Sequence, residues 1–287
     1  MKHAQITSWL SYAIAVLALL AAGTGILSVD GPGPSELTTV RGDFVTLHGW
    51  GVYKHMSAEV APQGIAQDYV TAFVAVPLLL ISLSMARKGS LRGRLSLAGT
   101  LGYFLVTYLF YLMMGMYNVL FIVYVLLLSM SFYATALVLT SFDVSQLPGA
   151  FAETAPFRFA GRFLIFNAAA IASLWLSIVI PPLFDGTVIP AAVEHYTTLV
   201  VQGLDLALLL PGAFIAGVLV LKRRPVGVLS ATVYLVFLSI LMTALTAKVI
   251  AMGFLGYDIL PAAVIIPGFA IVSFLTVGRI LRACARA

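Results

Sequence analysis

Eight apolar stretches, each close to the length needed to cross a bilayer, alternate along the chain with short polar segments. This pattern predicts an all-α integral membrane protein of eight transmembrane helices, at residues 8–29, 68–85, 95–114, 118–140, 163–183, 197–221, 226–252 and 257–277. Pro77, Pro211 and Pro267 fall inside spans, where neighbouring helices can re-satisfy the carbonyls a proline frees, and are expected to kink them. Between the first two spans lies a long loop, 30–67. It opens with Gly31-Pro32-Gly33-Pro34, carries strand-like residues around Gly49-Trp50-Gly51, and over 56–66 reads as a short helix lying on the membrane. Residues 143–162 place Phe151, Phe157 and Phe159 beside Arg158 and Arg162, as an interfacial amphipathic stretch does.

Polar landmarks recur at a near-constant spacing. Gln67-Asp68 opens the second span, and Gln202 and Asp205 lie early in the sixth. Pro77 and Pro211 are 134 positions apart (211 − 77), as are Leu95-Ser96 and Leu229-Ser230, while Arg87-Lys88 and Lys222-Arg223 are 135 apart (222 − 87). Matching charges and prolines carry more weight here than matching leucines. The expectation is an internal four-plus-four repeat, with halves at 1–145 and 146–287. An even number of spans per half gives both halves the same topology, related by an axis along the membrane normal.

A hydrophobic fraction of 61% against 9% charged residues excludes a soluble globular domain. Thirteen of the 16 Lys and Arg fall at the termini and in every second inter-span segment, leaving only Arg41, Lys54 and Lys248 elsewhere. Basic loops translocate poorly, so both termini are predicted to be cytoplasmic. The excess of base is therefore positional and does not argue for nucleic acid. The first apolar run is longer than a signal peptide's core and is expected to be a retained span. Cys284, the sole cysteine, excludes an internal disulfide and reads as a reduced thiol, with palmitoylation as the alternative.

The stretch 202–230, with Gln202, Asp205, a mid-helix proline and Lys222-Arg223-Arg224-Pro225, resembles a recurring pattern in functionally unassigned bacterial multi-span proteins. Gly49-Trp50-Gly51-Val52-Tyr53 and Gln67-Asp68 are similar to that group as well. The resemblance covers about a third of the chain. It implies a bacterial inner-membrane location and brings no activity with it.

Nine of the eleven acids lie on the side away from the basic loops or in that half of the bilayer. Asp205 stands out, because eight residues into a span places it about 12 Å deep. A carboxylate there costs on the order of 3 kcal/mol unless paired, hydrated or protonated. Lys248, the one cation inside a span, has a matching depth, which predicts an Asp205–Lys248 pair. Asp68, Gln67 and Thr71 occupy the corresponding place in the first half, with Asn118, Tyr117, Gln202 and Asp258 at neighbouring outer ends. Together they suggest a polar outer vestibule covered by the long loop. Tyr103, Thr107 and Tyr111 form one helical stripe and Tyr117, Tyr124 and Ser131 another, suited to interhelical hydrogen bonds or to an aromatic-lined pocket. Ala168, Ala169, Ala170, Ala172 and Ser173 suit close helix packing.

His48, His55, Glu59, Glu194 and His195 share a side but form no metal-binding motif, and no cofactor is expected. Phosphate-cradling and nucleophile-elbow motifs are lacking too. The first functional reading is a small-solute transporter with a lipid bilayer as its solvent. The alternatives are an embedded enzyme or lipid- or quinone-binding subunit, for which Asp68, Glu59, His55 or His195 would supply the chemistry, and an accessory subunit. A homo-oligomer or partner subunit is compatible with each.

Overall fold

A computed structural model describes residues 3–284. Among them are eight helices long and apolar enough to cross a membrane: α1 (Ala4–Leu27), α2 (Val60–Arg87), α3 (Leu91–Met113), α4 (Phe121–Thr140), α5 (Phe157–Val179), α6 (Val200–Leu221), α7 (Pro225–Phe254) and α8 (Ala262–Ala283). The chain is a helical, multi-pass membrane protein. Its loop between α1 and α2 holds an antiparallel hairpin of β1 (Ser35–Thr38) and β2 (Phe44–Leu47), followed by a 3₁₀ turn at Gly51–Tyr53.

One boundary differs in a way that matters. The expected surface helix over 56–66 does not exist as a separate element, because Ser57 Oγ accepts the Val60 amide at 3.2 Å and α2 starts there. Asp68 therefore lies two turns inside a helix instead of at its mouth. The stretch 143–162 also departs from expectation. It forms two 3₁₀ turns and then enters α5. Phe151 is buried edge-on against Phe157, and the Ala152 amide bonds the Ala283 carbonyl at 2.9 Å, tying this segment to the end of α8. Arg92 Nη2 caps the same end through the Cys284 carbonyl at 2.6 Å. The Cys284 side chain is buried.

Both α2 and α6 contain one π turn, Thr71–Ala75 and Asp205–Leu209, each ending just before a proline. Proline lacks an amide and its ring crowds the carbonyl four residues back, so the helix widens there instead of breaking. The Val76 amide reaches Thr71 O, and the Leu210 amide reaches Asp205 O. The turns that follow match bond for bond. Ser90 N bonds Met85 O at 3.1 Å, and Arg224 N bonds Leu219 O at 3.0 Å. A Cβ on Gly93 would strike the Ala86 amide, and one on Gly227 the Val220 amide.

Within 1–145 the helices pack in the cycle α1, α2, α3, α4 and back to α1; within 146–287 they pack α5, α6, α7, α8 and back to α5. The two cycles meet where α7 lies against α2 and α3. Gly99 makes that approach close, since a Cβ there would stand 2.7 Å from the Val233 carbonyl. Gly161 and Gly217 do the same for α5 and α6, each facing the other's carbonyl, and Ala168 packs on Leu210 and Ala213 further along. Small residues are what bring helices together when lipid offers no hydrophobic gain.

A buried polar turn between the two halves

Tyr53 is held over α2 by the loop. The Gly51 amide bonds Asp30 O at 2.7 Å and the Val52 amide bonds Ser28 Oγ at 2.9 Å, fixing the 3₁₀ turn to the end of α1. The ring then passes between two glycines. A Cβ on Gly64 would stand 3.2 Å from Tyr53 Cζ, and one on Gly25 would collide with Asp68 Oδ2. The Tyr53 hydroxyl donates to Asp68 Oδ2 at 2.5 Å. Burial and the adjacent carboxylate push that hydroxyl well above its ordinary range, so it stays a neutral donor.

Asp68 is 2% exposed. Its Oδ1 lies 2.9 Å from the Tyr111 hydroxyl on α3, which also lies 3.1 Å from the Gly64 carbonyl. Beside it, Gln67 Nε2 donates to Tyr103 at 2.7 Å and to Thr107 at 3.3 Å, and Thr71 Oγ1 meets the Tyr103 hydroxyl at 3.0 Å. The α3 stripe predicted from spacing thus faces α2 directly. Tyr124 on α4 closes the cluster, its ring 5.4 Å from Tyr111. Tyr117 and Ser131, expected on the same α4 stripe, take no part: Tyr117 is exposed and Ser131 Oγ is buried without a partner.

On the other half, Asp205 accepts the Trp175 indole N–H at 2.8 Å, and Tyr234 on α7 donates to the Leu209 carbonyl at the end of the π turn at 2.8 Å. Lys248 on α7 stands within electrostatic reach of both Asp68 and Asp205. It comes within 4.0 Å of neither, which corrects the expected Asp205–Lys248 pair. The lysine acts electrostatically on two acids instead of pairing with one.

The expected ring of outer polar residues does not assemble. Gln202 is half-buried and makes no side-chain hydrogen bond among the described residues. Asn118 caps its own turn, Oδ1 accepting the Leu120 amide at 2.9 Å; exposed Asp258 does the same for Leu260 at 3.0 Å. Each side chain caps its own loop backbone, although Asn118 also stands within hydrogen-bonding reach of Tyr124 at the edge of the cluster. Asp68, Gln67, Thr71 and Tyr103 pack on one another, so a sealed polar turn stands where an open vestibule was expected. The loop does cover it. The segment before α6 is strapped on above, with the Ser57 amide donating to Tyr196 Oη at 3.2 Å and His195 Nε2 2.9 Å from His55 O. Among the described residues no cluster of three His, Cys, Asp or Glu could hold a metal.

From sequence, Tyr53 stands out only within Gly49-Trp50-Gly51-Val52-Tyr53 and carries no site role, and Gly25 and Trp175 do not stand out. A tryptophan near a span's end is a recognisable signal of a polar tip seeking a partner. Nothing local marks Tyr53 or Gly25. No family model matches the chain, and neither a curated protein nor a solved structure matches it.

Proposed function

We propose that the protein is a proton-coupled carrier of small solutes in a bacterial inner membrane, built from two repeated four-span halves with both termini cytoplasmic. The observation that carries this reading is Lys248 on α7, within electrostatic reach of an acid on α2 and of an acid on α6 and in an ion pair with neither. With all three groups ionised the trio has a net charge of −1, which is expensive in a low-dielectric interior. One proton cancels it. The hydrogen bonds around Asp68 accommodate that proton without leaving a polar group unpaired. When Asp68 is ionised, Tyr53 and Tyr111 both donate to it. When it is protonated, its O–H donates to Tyr111, whose own proton turns to the Gly64 carbonyl 3.1 Å away.

Matching helix cycles, paired π turns and paired glycine turns support the repeat. In that register Asp205 corresponds to Thr71 and Gln202 to Asp68, so the two acids sit one turn apart along their helices and are not copies of each other. The basic residues at one end support the orientation. The enzyme reading gains nothing from Glu59, His55 and His195, which stay in the loops.

The test is a reconstituted vesicle with an entrapped pH dye, an imposed pH gradient and a panel of amino acids, monocarboxylates, sugars and amines. At least one class should discharge the gradient with wild-type protein and not with Asp68→Asn, while both proteins purify and reconstitute in folded form. Discharge by Asp68→Asn at the wild-type rate, or by no member of the panel with wild type, defeats the reading.

A further inference from the structure

At the basic end, α5 begins where α8 ends, and two adjoining cavities lie between them. One, of about 260 Å³, is walled by Phe159, Val272 and Leu275 and reaches Arg279. The other, of about 410 Å³, shares Pro156 and Arg279 with it and extends to Arg282. The first is greasy and opens to the side of the helices, since Phe159 and Leu275 are 54% and 57% exposed there. The second is shallower, has a lining about equally polar and apolar, and runs along the last turn of α8.

Arg279 and Arg282 are three residues apart, on one face of the last turn of α8. Arg92 already caps that helix end, bonding the Arg282 and Cys284 carbonyls. The other two guanidinium groups are therefore not needed for that cap, and among the described residues neither makes an ion pair or a side-chain hydrogen bond. Glu153, the acid nearest in sequence to the second cavity, is exposed and pairs with neither. Of the first-turn amides of α5, that of Phe157 bonds the Ala155 carbonyl at 2.8 Å, while those of Arg158 and Phe159 have no partner among the described residues and favour negative charge.

We infer that this groove holds one anionic phospholipid. Its phosphate sits between Arg279 and Arg282, and one acyl chain lies over Phe159 and Leu275. A free phosphate would use the arginines but not the apolar wall, and a zwitterionic lipid would use both but bring its own ammonium beside the two guanidinium groups, which repel it. Helix α8, about 33 Å long at 1.5 Å per residue, spans the hydrocarbon, so its last turn lies at headgroup level.

The experiment is native mass spectrometry of the full-length protein, delipidated and titrated with phosphatidylglycerol, phosphatidylcholine or inorganic phosphate. Phosphatidylglycerol should be retained in preference to phosphatidylcholine. In Arg279→Gln/Arg282→Gln its affinity should fall about thirtyfold, as two lost contacts of about 1 kcal/mol each imply. Phe159→Ala should weaken retention with the arginines intact. Equal retention of the two lipids, an unaffected double variant, or displacement by inorganic phosphate at equal concentration each overturns the assignment. Both arginines are exposed, so the double variant should unfold like wild type, and a change there would itself count against a surface lipid site.

Discussion

Gly25→Ala is the sharpest probe of the buried turn. The added methyl falls on Asp68 Oδ2 and stands 3.1 Å from the Tyr53 hydroxyl, so the carboxylate must move and the Tyr53–Asp68 hydrogen bond at 2.5 Å must open. A hydrogen bond to a charged group contributes about 1.5–3 kcal/mol, and overpacking alone costs about 1–3 kcal/mol. The expected loss is about 3 kcal/mol, roughly a hundredfold in the folded-to-unfolded ratio. Gly23→Ala is the control, because a Cβ there meets nothing within 4 Å on the same helix. The assay is denaturant unfolding in micelles, followed by the fluorescence of Trp9, Trp50 and Trp175. Repeating Gly25→Ala in an Asp68→Ala background should reduce its cost to under about 1 kcal/mol, since the two positions couple only through the clash. If Gly25→Ala matches Gly23→Ala, or costs as much without Asp68 as with it, the reasoning fails.

Trp175→Phe removes the donor that holds Asp205 and should destabilise by about 1–3 kcal/mol, with little further loss when added to Asp205→Ala; unfolding midpoints decide it. Gly217→Ala should cost about 1–3 kcal/mol by forcing α5 from α6, because its methyl would lie 2.7 Å from the Gly161 carbonyl, and the same unfolding assay reads it. Burial holds the His48 imidazole below its usual 6.5, so the folded state prefers it neutral. That contribution is complete above pH 6.5 and is lost as pH falls through the lower folded-state value. The protection factors of the hairpin amides, each the intrinsic base-catalysed exchange rate at that pH divided by the observed rate, should therefore fall as the pH drops below 6.5 in wild type, and much less in His48→Gln.

The eight spans were legible because lipid demands long apolar helices, and that demand is written residue by residue. The placement of Asp205 and Lys248 inside helices followed from the same count. The burial of Asp68 did not. It depends on where α2 begins, and the polar stretch before it gave the hydropathy pattern no reason to start the helix at Val60. Tyr53 illustrates a second limit: its reach to Asp68 is set by a 3₁₀ turn bonded to Asp30 and Ser28, contacts that no periodicity encodes. The vestibule was overdrawn for a related reason. Side-chain polarity at the ends of spans says nothing about whether a residue's own loop will satisfy it, as happens at Asn118 and Asp258.

The π turns have a geometric corollary. Each inserts one residue beyond what an α-helix would use, and one residue is a rotation of about 100° about the helix axis. The upper part of α2 is thereby wound round relative to the lower part, and Gln67 and Asp68 meet Tyr103 and Tyr111 only at that angle. Deleting a single residue from Thr71–Ala75 would leave hydropathy and length almost untouched while swinging the carboxylate away from its tyrosines. Angular phase, more than composition, is what aims the acid in each half of this protein.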